Sequence, residues 1–109
     1  MTVTLAEAKI DLGSRLSIHI VGIGGAGMRA IALVLSSMGH SVSGSDLKSS
    51  SGLDRLTASG IEVTIGHDIS NVGRIDIVAR STAVTDRNIE IREARKRDIP
   101  VVRRAEILS

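Results

Sequence analysis

Short β-branched runs alternate along the chain with segments whose apolar residues recur at helical spacing. The run Ser17–Val21 (SIHIV) ends directly at Gly22, which predicts a strand that leads into a tight turn. The residues after this turn predict a helix that ends at Gly39, because apolar side chains recur every three or four positions: Met28, Ile31, Ala32, Leu35 and Met38. The first unit is therefore predicted to be strand, glycine turn and helix.

The same order repeats further along the chain. Residues 41–45 (SVSGS) predict a second strand that ends at Asp46, residues 53–59 a short helix stopped by Gly60, and Glu62–Ile65 a third strand. The run 75–79 (IDIVA) is almost continuously apolar, as expected for a parallel strand covered on both faces.

A helix capped by Asp86 or Asn88 is predicted to run to about Arg97, with Glu93 and Arg97 spaced for an i,i+4 ion pair. A last short strand over residues 100–102 follows, and a further element begins at Arg104. Alternating strands and helices predict an α/β fold, a Rossmann-like open parallel sheet with helices on both faces.

The glycine turn carries a pattern with a chemical meaning. Gly22, Gly24 and Gly27 form G-x-G-x-x-G between a predicted strand and a predicted helix. In this context the first glycine permits the turn, the second permits a pyrophosphate to approach the backbone, and the third permits close packing of helix and strand. Free amides at the start of the helix then face the anion. The sequence therefore predicts a nucleotide diphosphate site.

Asp46 lies about 20 residues beyond this loop, at the end of the second predicted strand. An NAD-binding domain uses an acid at this position to accept hydrogen bonds from ribose hydroxyls. The alternative is structural: a glycine turn needed only for packing, with Asp46 capping the next segment.

Composition narrows the function classes. The 109 residues are 42% hydrophobic and 24% charged, which is typical of one folded domain and leaves no room for a second. The absence of Cys excludes disulfides and thiolate metal sites, and the absence of aromatic rings argues against single-stranded nucleic-acid binding. The longest apolar stretch, residues 30–35, is too short for a bilayer. We therefore expect a cytoplasmic protein that binds neither nucleic acid nor a membrane.

Five strings occur in order along most of the chain: IHIVGIGGAGM, VSGSDL, GHDISN, STAV and IPVVRRAEIL. Together they closely resemble the N-terminal domain of the Mur ligase family, and they are much more specific than one glycine loop. The resemblance implies that residues 1–109 are the Rossmann-like domain that holds the UDP end of UDP-N-acetylmuramate.

The resemblance also implies a longer bacterial enzyme of peptidoglycan synthesis, an ATP-dependent ligase that joins L-alanine to UDP-N-acetylmuramate. In that family ATP and magnesium are held by a P-loop in a central domain, and a C-terminal domain helps to bind the amino acid. No G-x-x-x-x-G-K-[ST] sequence occurs in these residues. We therefore expect a fragment without the central and C-terminal domains, which binds substrate but holds no cofactor, metal ligand or catalytic residue.

The substrate-binding residues follow from the resemblance, position by position. The diphosphate loop corresponds to Gly22, Gly24, Gly25, Ala26, Gly27 and Met28. The strand end that contacts the nucleoside corresponds to Ser45, Asp46 and Leu47, with Leu47 as an apolar surface for uracil. His67 corresponds to a position beside the nucleotide, and Ser81, Thr82 and Ala83 to a loop that reaches the phosphates or the sugar. Loop packing for His67 and ordinary turn chemistry for residues 81–83 are the alternatives.

Three residues depart from the family pattern. Arg29 stands where a small residue is frequent, and it either crowds the loop or adds a cation for the diphosphate. Arg80 replaces a residue that is commonly apolar, and Ile89 replaces a frequent proline. His19 and His40, on the first strand and after the first helix, are expected to be structural.

Three other functions stay open at this point. A related ligase that attaches a recycled tripeptide to the same sugar nucleotide would show similar motifs. The glycine pattern with Asp46 also fits an NAD-binding domain of a dehydrogenase or redox sensor. A non-catalytic regulator that senses nucleotide would keep the same fold.

Overall fold

A five-stranded parallel sheet forms the centre of the protein. The computed structural model describes residues 2–4, 9–11 and 13–108. In chain order the strands are β1 (Thr2–Thr4), β2 (Lys9–Asp11), β3 (Ser17–Val21), β4 (Ser41–Asp46), β5 (Glu62–Ile65), β6 (Ile77–Arg80) and β7 (Val101–Arg103). The helices are α1 (Met28–Ser37), α2 (Ser51–Ala58), α3 (Ile89–Lys96) and α4 (Arg104–Leu108), with a short 3-10 helix at Ile69–Asn71.

Strands β3 to β7 lie in the order β5-β4-β3-β6-β7, all parallel, and β1 pairs with β2 as a separate antiparallel ladder. The predicted α/β fold is therefore confirmed. Because β3 has β4 on one side and β6 on the other, the connections reverse direction beside β3. Open α/β sheets bind ligands at such a point, outside the carboxyl ends of the strands.

Alternation along the strands separates the two faces of the sheet. Ile18 and Ile20 pack in the larger core cluster, which also contains residues of α1, α2 and α4. Val21 and Val78 pack instead against Ile91 and other residues near α3, in a smaller cluster. Helices therefore cover both faces, as predicted, and His19 points to the same face as Val21.

Two strands begin later than predicted, because a side chain or a proline interrupts the backbone hydrogen bonds between strands at their first residues. The strand predicted at 75–79 is Ile77–Arg80, and the carboxylate of Asp76 accepts from the Ser17 amide at 2.8 Å just before it begins. The strand predicted at 100–102 is Val101–Arg103, because Pro100 has no N–H and offers only its carbonyl, to the Val78 amide at 2.9 Å.

The helix bounds agree closely with the pattern. Helix α1 ends just before Gly39, which has a φ of 95°. Asn88 rather than Asp86 caps α3, since its side chain accepts from the Glu90 amide at 2.8 Å. The predicted pair of Glu93 and Arg97 is present at 3.9 Å. No helix among the described residues is long and apolar enough to cross a membrane.

Candidate functional site

The glycine loop leaves β3 in a tight turn at the carboxyl edge of the sheet. Gly22 has a φ of 79° and Gly27 a φ of 76°, a region that residues with a Cβ rarely adopt. The amides of Gly22 and Ile23 donate to the carbonyl of Ser45 at 2.8 and 3.0 Å. The loop is thereby fixed to the end of β4, so its geometry is set before any ligand binds.

Four amides at the start of α1 keep their donors free. Within the described part of the chain, the amides of Ala26, Gly27, Arg29 and Ala30 donate to no protein acceptor, whereas Met28 donates to the Gly25 carbonyl at 3.0 Å. Unpaired N–H groups at a helix start, together with the positive end of the helix dipole, favour an anion.

Asp46 contacts the glycine loop directly. Its Oδ2 accepts from the Gly24 amide at 2.8 Å, and its Oδ1 accepts from the Lys48 amide at 3.4 Å. A Cβ at Gly24 would lie 2.9 Å from Oδ2. The absence of a side chain at Gly24 therefore admits the carboxylate, and the predicted acid is held between the loop and the next segment.

Gly44 in β4 leaves space for the side chain of Ile23 in the glycine loop. A Cβ at Gly44 would collide with the side chain of Ile23 and lie 2.8 Å from the carbonyl oxygen of Ile20. Because position 44 has no side chain, Ile23 packs against β4 and is fully buried. The glycine in VSGSD therefore has a packing function that the sequence analysis did not assign.

The loop after β6 lies beside the glycine loop. Ser81 is buried, and its Oγ lies 2.7 Å from the point that a Cβ at Gly25 would occupy, whereas Thr82 and Ala83 are exposed. Arg80 extends along this loop and donates to the carboxylate of Asp86 and to the carbonyl of Val84. This unusual arginine therefore holds the loop 81–86 in shape.

His67 and Ser45 belong to a buried polar cluster centred on Glu90, whose side chain is 0% exposed. Ser45 Oγ lies 2.9 Å from His67 Nδ1 and 2.7 Å from Glu90 Oε1, and His19 Nε2 lies 2.6 Å from the same oxygen. The other oxygen, Oε2, accepts from Asn71 Nδ2 at 2.8 Å and from the amide of residue 68 at 3.0 Å.

Burial alone would raise the pKa of Glu90, but hydrogen bonds from His19, Asn71 and Ser45 outweigh it and lower the pKa from 4.5 to about 2. Glu90 is therefore an ionised carboxylate inside the protein. The cluster joins β3, β4, α3 and the loop that carries His67.

The predicted site residues thus come together at one edge of the sheet. The glycine loop contacts both the end of β4 and the loop after β6, and His67 contacts Ser45 in β4. Leu47 is 70% exposed at the same edge, beside Ile65 on β5, which is half exposed. The arrangement can place an anion at the loop and an apolar ring against Leu47.

Known proteins are similar to this chain in sequence and in structure. The pattern described as "Mur ligase family, catalytic domain" matches residues 17–109. The chain belongs to the Mur ligase family. A UDP-N-acetylmuramate--L-alanine ligase of Acidiphilium cryptum is 55% identical over 92 residues, which are 84% of this chain and 19% of that protein. The chain therefore spans about a fifth of the length of that curated relative.

Two solved structures are similar over most of the chain. The UDP-N-acetylmuramate-alanine ligase of Thermotoga maritima has a TM-score of 0.82 and 36% identity, covering 86% of this chain and 22% of that chain. The murein peptide ligase of Psychrobacter arcticus has a TM-score of 0.73 and 26% identity, covering 79% of this chain and 18% of that one. Both agree with the family assignment.

Arg29, which was expected either to crowd the glycine loop or to add a cation there, lies elsewhere, and a different arginine lies over the loop. Arg29 turns away from the loop, and its guanidinium lies against Gly52 in a concave pocket of about 520 Å³ between α1 and α2. Arg104 instead lies over the loop, with its Nε 2.5 Å from the point that a Cβ at Gly27 would occupy. Among the described residues Arg104 has no carboxylate partner.

Sequence analysis missed Glu90, Asn71 and Arg104. Glu90 could have been found because it lies next to Ile91 on the face of α3 that is buried. An acid on such a face is almost never buried without partners, so its presence there indicates a polar cluster. Arg104 could have been found because it follows β7, whose carboxyl end lies at the same edge of the parallel sheet as the glycine loop. The histidines predicted to be structural are buried, and His40 Nδ1 accepts from the Leu16 amide at 3.1 Å.

Proposed function

We propose that this chain is the N-terminal, UDP-binding domain of an ATP-dependent ligase that adds L-alanine to UDP-N-acetylmuramate. Relatives bearing that activity in their names are about half identical to it over most of its length. The proposal implies a cytoplasmic protein, whose partners are UDP-N-acetylmuramate and the central and C-terminal domains of the full-length enzyme.

The observation that carries the proposal is a set of amides and a neighbouring guanidinium that, in the described part of the chain, have no protein acceptor and no carboxylate partner respectively. The N–H groups of Ala26, Gly27, Arg29 and Ala30 are available at the start of α1, and Arg104 lies against Gly27. Charge-assisted hydrogen bonds of this kind contribute about 1.5–3 kcal/mol each, more than the 0.3–1 kcal/mol expected from the helix dipole. Two linked phosphoryl groups offer enough acceptors to use several of these donors together.

The nucleoside is proposed to lie along the end of β4. Leu47 offers an apolar face for uracil, which suits a chain without aromatic rings. Asp46 already accepts from Gly24, but each carboxylate oxygen has two lone pairs, so it can also accept from a ribose hydroxyl. Ser81 lies beside the glycine loop, and in this proposal Ser81, Thr82 and Ala83 would complete the cradle for the phosphates or sugar.

ATP and magnesium belong to the full-length enzyme in this proposal, and residues of this domain do not fit them. Among the described residues, no three His, Asp or Glu side chains are grouped as a metal site requires. The sequence also has no P-loop pattern. This domain would bind and orient the sugar nucleotide, while the activation of its carboxylate takes place elsewhere.

Titration of the 109-residue chain with UDP and with pyrophosphate, followed by amide NMR, tests the proposal. We expect UDP to bind with a Kd of about 0.1–1 mM, equivalent to roughly −4 to −5.5 kcal/mol. The largest shifts should occur at Ala26, Gly27 and Arg29. Arg104→Gln should weaken both ligands by about three- to tenfold because a cation beside the phosphates is lost.

Arg103→Gln is the matched control, since Arg103 is an exposed neighbour on β7 and is not among the nearest contacts of the loop glycines. It should leave UDP affinity unchanged within about twofold. Binding of NAD without any response to UDP would contradict the proposal and favour a dehydrogenase-type domain. Equal losses in both arginine variants would show that only net charge matters and that Arg104 does not contact the phosphates.

A further inference from the structure

The Glu90 cluster determines where its protons lie. The carboxylate is ionised and can only accept, so each short contact to it must contain a hydrogen from the other partner. Ser45 Oγ is 2.7 Å from Oε1 and therefore donates its single hydroxyl hydrogen to Glu90. Having used that hydrogen, Ser45 can only accept from its second neighbour, His67.

The ring of His67 is then left with one possible arrangement. Its Nδ1 lies 2.9 Å from Ser45 Oγ and 3.3 Å from Glu90 Oε2, and both of these oxygens are acceptors toward it. Nδ1 must therefore carry the hydrogen. In the neutral ring the other nitrogen, Nε2, carries a lone pair and no hydrogen.

The Nε2 atom of His67 is open to the surroundings. Among the described residues the buried side-chain polar atom without a partner is Nε2 of His40, so Nε2 of His67, which has no protein partner there, reaches solvent. His67 follows Gly66, whose amide donates to the Asp46 carbonyl at 2.7 Å. The free lone pair is therefore on the residue next to the end of β4, where the nucleoside is proposed to lie.

We propose that Glu90 and Ser45 act as positioning residues that hold His67 in the Nδ1–H tautomer, so that its Nε2 accepts a hydrogen bond from an N–H or O–H group of the bound nucleoside. The inference rests on the proposed function for the identity of the ligand. It makes His67 a specificity-determining residue: a nucleoside that offers a donor at this point is selected over one that offers an acceptor.

Hydrogen bonds fix the shape of the loop that carries His67. Asn71 uses both amide hydrogens, to the Gly66 carbonyl at 3.1 Å and to Glu90 at 2.8 Å, and so closes the loop that carries His67. Asp68 caps the following 3-10 helix through Ser70. These bonds fix the GHDISN loop around His67, whose outer nitrogen has no protein partner among the described residues.

Glu90→Gln should reverse the tautomer. The glutamine oxygen must stay near the fixed amide of residue 68, which places its NH2 group toward Ser45. Ser45 would then accept from the glutamine and donate to His67 Nδ1, which moves the ring hydrogen to Nε2. Two-bond 1H–15N NMR of the histidines at about pH 8.5, where an unperturbed imidazole is neutral, distinguishes the two tautomers directly.

The expected result is Nδ1–H in the parent chain, Nε2–H in Glu90→Gln, and Nδ1–H in the control Glu93→Gln on the same helix. UDP affinity should fall about tenfold or more in Glu90→Gln, because two donors would then face each other, while pyrophosphate affinity stays unchanged. Ser45→Ala should also weaken UDP selectively, and it provides a second variant if Glu90→Gln does not fold.

Nucleotide analogues identify the donor on the ligand. If it is the imide N–H of the base, 3-methyluridine diphosphate should bind weakly to the parent chain. If it is a ribose hydroxyl, either 2′-deoxyuridine diphosphate or 3′-deoxyuridine diphosphate should do so. Normal binding of all three analogues would overturn the proposed contact.

An Nε2–H tautomer in the parent chain would overturn the inference without any ligand present. Unchanged UDP affinity after a measured tautomer reversal would overturn the proposed contact between His67 and the nucleoside. Absence of UDP binding to the parent chain would instead refute both the proposed function and the contact with the nucleoside. The tautomer measurement would still decide whether Glu90 and Ser45 position the ring of His67.

Discussion

Acidification should unfold this protein partly through one residue, Glu90. Its carboxylate is completely buried and accepts from four donors, so protonation removes the charge that those donors stabilise. The pKa of Glu90 in the fold is about 2, compared with 4.5 for an unperturbed glutamate. Folded protein therefore binds the proton less readily than unfolded chain.

The size of the effect follows from these two values. At 1.36 kcal/mol for each tenfold difference in acidity, a fall from 4.5 to about 2 corresponds to about 3 kcal/mol of stability. This contribution is fully present above pH 4.5 and is lost progressively as the pH falls from about 4.5 to about 2. It is a large part of the 5–15 kcal/mol that holds a typical domain together.

Urea unfolding between about pH 6 and pH 2.5 measures this loss. Far-UV circular dichroism is the suitable probe, because the chain has no Trp, Tyr or Phe to report by fluorescence. Glu90→Gln serves as the reference, since glutamine does not titrate and its unfolding free energy should fall less steeply over this range. The other carboxylates titrate in both proteins and cancel in the comparison.

Parallel stability curves for the parent chain and Glu90→Gln below pH 4.5 would refute the reasoning. A direct measurement is also available, from the 13C shift of the Glu90 side-chain carboxyl during an acid titration. A midpoint at or above 4.5 would show that burial, which raises the pKa, outweighs the hydrogen bonds that lower it.

Two further substitutions test how the site is built. Gly44→Ala should destabilise the fold by about 1–3 kcal/mol, because a Cβ there meets the Ile20 carbonyl and the Ile23 side chain; the urea midpoint measures it, and an unchanged midpoint would contradict the packing argument. Arg80→Met should cost about 1 kcal/mol and speed amide exchange in the loop after β6, since its bond to the Val84 carbonyl is lost; unaltered exchange there would show that the loop holds its own shape.

Much of the fold follows from local patterns. The β-branched run 17–21, the glycine at position 39 and the alternation of strands with short helices predict the elements within a few residues, because such signals act on neighbouring residues in the chain. The glycine pattern also predicts a turn with free amides, since a positive φ at Gly22 is a local requirement.

Contacts between distant residues could not be predicted in this way. Arg29, adjacent to the loop in sequence, turns toward Gly52, whereas Arg104, 77 positions from Gly27, lies over it. Asp46 was expected to be available to a ribose, and it also accepts from the Gly24 amide. Each outcome depends on which chain segments meet at the edge of the sheet.

The sequence by itself determined the α/β fold, the position of the glycine loop and, through five ordered motifs, the Mur ligase family. Only the tertiary structure decided that Glu90 lies inside the protein as an ionised group and that it reaches His67 through Ser45. The reason is physical: a strand or turn is set by neighbouring residues, but the ionisation of a buried carboxylate is set by donors from three other segments that folding brings within hydrogen-bond distance.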